Sequence, residues 1–289
     1  MKMKKSVLTF SIVAGIVALT ILGTALGIVI YKKTAPVHPS NPQPAPTLGV
    51  WWWDNRIDST YLDFAESYNV TDIYYYTSSF SQKTTDFIKD ANARGMKVFW
   101  LQGKYEWIED IPSLKNRIDE YLDYQRQNEY PFDGIHLDIE PHQNPQFSDR
   151  RNELITSFVS LSAQIKESYP DLWIEYDIPF WLEDEVTYNG TTKPAYQFII
   201  DNATRVTVMT YRDEWQKIYD AGKAELEYAT SVDKPINFSV ETGEEEDVVT
   251  FFEEGATYMY EQLTLLRKQL PSSCGIAVHH IKSWRELKN

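Results

Sequence analysis

Residues 48–289 predict an α/β fold, a (β/α)8 TIM barrel. Three observations carry this. Strand-like and helix-like segments alternate eight times. The stretch available, about 240 residues, matches the roughly 250 that such a barrel commonly takes. The fourth strand-like segment, Gly134–Glu140, alternates apolar and polar residues without a break. Ile135, Leu137 and Ile139 fall on one face, and His136, Asp138 and Glu140 on the other, which is the period of a strand. Three ionisable groups in a row suit a parallel strand whose C-terminal end opens into a site better than a solvent-facing one, where Asp and Glu are poor strand formers.

Two segments precede the barrel. In residues 1–33, Lys2, Lys4 and Lys5 stand before an uncharged, mostly apolar run of 26 residues, Ser6 to Tyr31. A bilayer core needs about 20. The lysine excess before the run predicts a single-pass anchor in the cell membrane, with the C-terminal body outside. A cleaved signal peptide, giving a secreted protein, is the alternative. Residues 34–47 form a linker with five Pro between Ala35 and Pro46, an extended spacer that builds no core.

The elements then follow in order. Leu48–Trp53 reads as the first strand and Ser59–Tyr68 as a helix. Asp72–Ser78 is the second strand, followed by a helix over Gln82–Arg94. Lys97–Gly103 is the third, followed by a helix over Pro112–Asn128 with Pro112 at its start. Gly134–Glu140 is the fourth, with a helix across Arg150–Ser168. Leu172–Phe180 is the fifth, with a less regular excursion through Tyr188–Ile200. Arg205–Tyr211 is the sixth, with a helix over Glu214–Thr230. Pro235–Thr242 is the seventh, with a helix over Gly255–Leu270, and Gly275–Ile281 is the eighth. An open doubly wound sheet is the rival architecture, but no Gly-rich phosphate turn follows the first strand.

Composition narrows the function. The chain holds 9 Trp, 19 Tyr and 13 Phe, ample for a large core, and its formal net charge is -14. Setting aside the five lysines of the N-terminal segment leaves 23 basic against 42 acidic residues, a balance of -19. Such a body is repelled by phosphate backbones, so nucleic acid is excluded as a partner. The single Cys274 permits no internal disulfide framework. No cofactor is implied.

In this architecture the C-terminal strand ends hold the active site. They offer Trp51-Trp52-Trp53-Asp54, Tyr76, Gln102, Asp138 with Glu140, Tyr176 with Asp177, Tyr211, Glu241, and His279-His280 with Trp284 beyond. Aromatics and carboxylates on one rim suit a sugar, with rings stacking on C–H faces and carboxylates binding hydroxyls or moving protons. Asp138 and Glu140 lie about 6–7 Å apart along one strand face. Two carboxylates that close disfavour joint ionisation, so one pKa rises. Glu140, nearer the mouth, is the natural general acid, and Asp138 is expected to stay ionised.

The stretch Asp133-Gly134-Ile135-His136-Leu137-Asp138-Ile139-Glu140 resembles the D-G-x-D-x-D-x-E signature of glycoside hydrolase family 18, the chitinase and endo-β-N-acetylglucosaminidase family. Asp133, Asp138 and Glu140 match it. The resemblance implies that Glu140 is the catalytic acid and that Asp138 orients a 2-acetamido group. The substrate's own acetamido oxygen then serves as nucleophile, with retention of configuration. Val208-Met209-Thr210-Tyr211 resembles the family's M-x-Y-D segment, which implies that Tyr211 hydrogen-bonds the acetamido group. Gly275-Ile276-Ala277-Val278-His279 resembles the last strand. His136 departs from the family's middle Asp, Arg212 stands where its Asp follows the Tyr, and His279 replaces its Trp.

The expected catalytic residues are therefore Glu140, Asp138 and Tyr211. The expected substrate-binding residues are Asp133, His136, Trp53, Tyr76, Gln102, Asp177, Glu241, His279 and Trp284. The expected substrate is a β-linked glycan containing N-acetylglucosamine. Three rivals remain. Glu241 could be the nucleophile of a covalent retaining scheme with Glu140 as acid. The barrel could be a non-catalytic, lectin-like binder. A zinc site at His136, His142, His279 and His280 is the weakest, because metal-dependent barrel hydrolases usually draw two His from the first strand. No metal is expected.

Overall fold

The computed structural model describes residues 46–55 and 58–288. The segments expected to be a membrane anchor and a linker lie, up to residue 45, outside the described residues. Among the described residues no helix is long and apolar enough to cross a membrane.

Eight parallel strands close into a barrel: β1 Leu48–Trp52, β2 Asp72–Tyr76, β3 Lys97–Gln102, β4 Gly134–Leu137, β5 Ile174–Pro179, β8 Arg205–Met209, β9 Ile236–Glu241 and β10 Cys274–His279. They follow one another around the ring in chain order, and β10 pairs with β1 in the register Leu48 to Ile276. The helices are α1 Thr60–Ser67, α2 Gln82–Ala93, α3 Ile111–Gln127, α4 Phe147–Ser168, α5 Ala195–Asn202, α6 Trp215–Ala221, α7 Lys223–Ser231, α8 Gly255–Arg267 and α9 Ile281–Glu286. Asp110 caps α3, its carboxylate accepting from the Ser113 N–H, with Pro112 in the first turn.

Three expectations need correction. The excursion after β5 is a hairpin, β6 Glu185–Tyr188 and β7 Thr191–Pro194, leading into α5. Asn189 and Gly190 turn it with φ of 48° and 79°, the left-handed pair that a two-residue hairpin requires. The helix expected over Glu214–Thr230 breaks at Gly222 into α6 and α7, glycine being a poor helix former. The fourth strand leaves its ladder after Leu137. Asp138 still donates its backbone N–H to Gln102 O at 2.8 Å, and Pro141 then starts a 3-10 turn.

Each strand divides its side chains between two layers. Val50, Trp52, Val98, Trp100, Ile135, Leu137, Tyr176 and Ile178 pack into the main core shared with the helices. Trp51, Tyr74, Phe99, Leu101, Trp173 and Ala277 form a separate cluster, with Trp53 and Tyr76 packed against it. This second cluster fills the barrel interior, and the polar residues of the same strand faces share that space.

Candidate active site

The barrel interior carries a run of buried charges from its floor to its mouth. On the floor, Arg205 at the start of β8 lies 2.7 Å from Asp72 Oδ2 and 2.7 Å from Glu175 Oε1 through Nη2, with its guanidinium over the Phe99 ring. The other Glu175 oxygen, Oε2, meets His136 Nδ1 at 2.9 Å, and His136 Nε2 meets Asp177 Oδ2 at 2.8 Å. Trp51 donates its indole N–H to the same Asp177 oxygen. The His136 ring stacks on Tyr74, centroids 3.6 Å apart, and the edge of Trp51 closes another side. No part of His136 is exposed.

Burial disfavours the imidazolium, yet Asp177 and Glu175 outweigh it and lift His136 to about 9. Burial likewise raises Glu175, but Arg205 and His136 overcome this and hold it below its ordinary value. Burial pushes Asp177 up, against the pull of His136 and Trp51. The proton they could share rests on His136, because that ring faces an ionised Glu175 as well. The signs alternate from Asp72 through Arg205, Glu175 and His136 to Asp177, so each buried charge has an opposite neighbour.

Above this column sits Asp138. Burial, then the Asp177 and Glu140 carboxylates, push its carboxyl well above the usual range, and His136 pulls the other way. One of its oxygens, Oδ1, is buried without a hydrogen-bond partner. The shift runs against the expectation that Asp138 stays ionised, and the carboxylate bonded to His136 is Asp177 rather than Asp138. Gly103 permits this placement, since a Cβ there would lie 2.4 Å from Asp138 O.

Glu140 lies at the mouth with 17% of its side chain exposed. His142 Nε2 sits 2.9 Å from its Oε2, and Gln143 donates to Oε1. Both partners belong to the 3-10 turn after β4. Trp181, half-buried in the loop after β5, packs its ring against the edge of His142.

Glu241 and His279 form the opposite rim. His279 Nδ1 donates to Glu241 Oε2 at 2.6 Å, while the Thr242 and Gly243 N–H groups donate to Oε1. Burial would raise the carboxyl, but His279 and these backbone donors hold it below its ordinary value. Trp53 donates its indole N–H to His279 Nε2 at 3.0 Å, so the ring proton lies on Nδ1. Tyr76 leans on Trp53, centroids 5.7 Å apart. Burial, then Glu241, Asp138, Asp177 and Glu140, drive the Tyr211 hydroxyl well above its ordinary value. That phenol remains a donor, and four carboxylates act on it.

Of the residues expected from sequence, Glu140, Asp138, Tyr211, His136, Asp177, Glu241, His279, Trp53 and Tyr76 line the interior and its mouth. Three do not join them. Gln102 shares the outward parity of Val98 and Trp100, and its amide donates to Thr77 O and Leu101 O. Asp133 sits at the opposite, N-terminal end of β4, where Oδ2 accepts from Val98 N and braces β3. Trp284 lies on α9 among the helices, donating to Tyr260 OH and packing on Phe64 and Tyr68. Glu175 and Trp181 were missed, and Trp51, read at the strand end, was not among the expected binding residues. Strand parity could have found the first, because Glu175 and Asp177 share a face that Tyr176 cannot. Among the described residues no group of three or more His, Cys, Asp and Glu is arranged to hold a metal ion.

No protein-family model matches the chain, and no curated protein matches it. Solved structures do. A chitinase from Bacteroides thetaiotaomicron matches with a TM-score of 0.53 and 11% identity, over 82% of this chain and 90% of that one. The ICChI chitinase from Ipomoea carnea matches with a TM-score of 0.50 and 10% identity, over 83% and 96%. A variant of the glycoside hydrolase domain of PelA from Pseudomonas aeruginosa matches with a TM-score of 0.50 and 13% identity, over 84% and 98%. At these identities the likeness is one of fold, on which sites for many chemistries can be built.

Proposed function

We propose that the chain is a glycoside hydrolase acting on β-linked glycans that contain N-acetylglucosamine. The observation that carries this is Glu140, with His142 and Gln143 on its carboxyl oxygens, at the same barrel mouth as the Glu241–His279 pair and above the His136–Asp177 pair. Structural likeness to two chitinases and to a glycoside hydrolase domain supports the same reading.

Glu140 is the general acid. Its side chain is 17% exposed at the mouth, and the 3-10 turn aims it through His142 and Gln143. It gives its proton to the glycosidic oxygen, and the acetamido oxygen of the substrate closes on the anomeric carbon. Tyr211, held as a neutral phenol, donates to that acetamido oxygen. Asp138 enters protonated and hydrogen-bonds Glu140 as that carboxylate becomes charged. Asp177, kept anionic by His136, stabilises the cationic ring intermediate. Water then opens the ring with Glu140 as base, and configuration is retained.

A covalent scheme with Glu241 as nucleophile is the second reading, favoured by the ionised state of that carboxylate. Three donors occupy its two oxygens, which suits an anchor for His279 and Trp53 better than an attacking group. The apolar run and Pro-rich linker before the barrel complete the proposal, holding the enzyme at the outer face of the cell membrane.

The test is a screen of N-acetylated oligosaccharides against wild type and Glu140→Gln. Turnover in the first and its loss by about 10²–10⁴-fold in the second is the expected result. No turnover of any N-acetylated substrate, or equal turnover by both proteins, sinks the reading.

A further inference from the structure

A cavity of about 430 Å³ opens beside the mouth between the end of β3 and the start of α3. Tyr76, Lys104, Trp107, Ser113, Asn116 and Arg117 shape it. Tyr76 belongs to both places, since its ring also leans on Trp53 of the acidic rim. A chain of sugar units leaving the mouth over Tyr76 would enter this cleft. Its chemistry is the opposite of the mouth's. No lining residue is an acid. Lys104 is exposed and, among the described residues, forms no ion pair. Arg117 is held by Glu120, by Ser78 O at 3.2 Å and by the Trp100 ring, which fixes its guanidinium at the cleft wall. Asn116 adds a hydrogen-bonding group along one side, where the Ser113 hydroxyl is taken up by Asp110 at 2.6 Å.

We propose that this cleft is a binding subsite for a carboxylate-bearing sugar unit, such as a uronate, adjoining the unit held at the mouth. The inference rests on the glycosidase reading above and names the substrate class for it. A body with a charge balance of -19 repels a polyanionic glycan almost everywhere. Lys104, unpaired among the described residues and with Arg117 beside it, offers a place next to the acidic mouth where an anionic unit is tolerated. The glycan is thereby held in one register, with a neutral unit at Glu140 and a charged one at Lys104.

The experiment uses the full chain and two tetrasaccharides. One is a neutral β-linked N-acetylglucosamine tetramer, and the other alternates N-acetylglucosamine with glucuronate. Affinities are measured by calorimetry on Glu140→Gln, with Lys104→Glu and Lys104→Ala added to it in turn, and turnover is measured on wild type. The alternating sugar is expected to bind about tenfold more tightly at low salt. The preference should shrink as salt rises and disappear in both Lys104 variants. Equal affinity for the two sugars, or a preference that survives Lys104→Glu, overturns the subsite. If the neutral tetramer is turned over without any charge preference, the subsite alone falls. If neither sugar is bound or cleaved, the glycan reading falls and takes the subsite with it.

Discussion

His136 Nε2 lies 2.8 Å from Asp177 Oδ2, inside a barrel from which both side chains are shut off from water. Glu175 sits on the other ring nitrogen, so one imidazolium holds two carboxylates. His136 is thus, with Arg205, a positive centre of the interior.

That arrangement predicts a dependence of stability on pH. The folded His136 pKa, about 9, is above its ordinary 6.5. Its contribution is fully present below pH 6.5 and is lost as pH rises through 9, a range worth about 3 kcal/mol. Melting curves of wild type should fall across that window. The fall should be smaller in His136→Gln, which is less stable at pH 6, the remainder coming from Glu225 and Asp138. A wild-type curve flat from pH 6.5 to 9 contradicts the charged ring.

Asp138 predicts a different signature. Its folded pKa is raised, so the stability it contributes is present below its ordinary 3.8 and declines as pH climbs toward the folded value. Asp138→Asn mimics the neutral acid and removes this decline. The variant should melt at or above wild type at neutral pH, with a margin that widens from pH 4 upward, while turnover falls by about 10²-fold or more. A variant less stable than wild type at pH 7 shows that the carboxylate is ionised there.

Replacing Glu241 by Ala separates anchor from nucleophile. Three hydrogen bonds are lost and His279 is freed, for a cost of about 2–3 kcal/mol. As an anchor, its loss lowers turnover about tenfold through a looser Trp53. As a nucleophile, its loss abolishes turnover. Single-turnover assays at matched folded fraction distinguish the two.

Glu225 on α7 is fully buried, and neither of its carboxyl oxygens has a hydrogen-bond partner. Burial raises it to about 8. As with Asp138, the raised value means stability lost with rising pH, here between about 4.5 and 8. Glu225→Leu should raise the unfolding free energy at pH 8.5 by roughly 1–3 kcal/mol, with a smaller gain at pH 5. Denaturant unfolding at the two pH values checks it, and an equal gain at both would mean that the group does not titrate in between.

Much of this molecule was legible residue by residue. Eight alternating segments specify the barrel because each strand and helix writes its own period locally. The polar face of His136, Asp138 and Glu140 was readable for the same reason, and so were Tyr211, Glu241 and His279 at strand ends. The Asn189-Gly190 hairpin was legible too, although its signal passed unread.

What the fold alone decided is which way rim residues face and which charges meet. Parity turns Gln102 outward, and α9 carries Trp284 among the helices. Asp133 belongs to the barrel floor because it precedes its strand. His136 meets Glu175 and Asp177 from a neighbouring strand, 39 and 41 residues away. The protonation states of Asp138 and His136 follow from those meetings. A period is a property of neighbours in the chain, whereas a pKa is a property of neighbours in space, and only closure of the barrel brings the latter together.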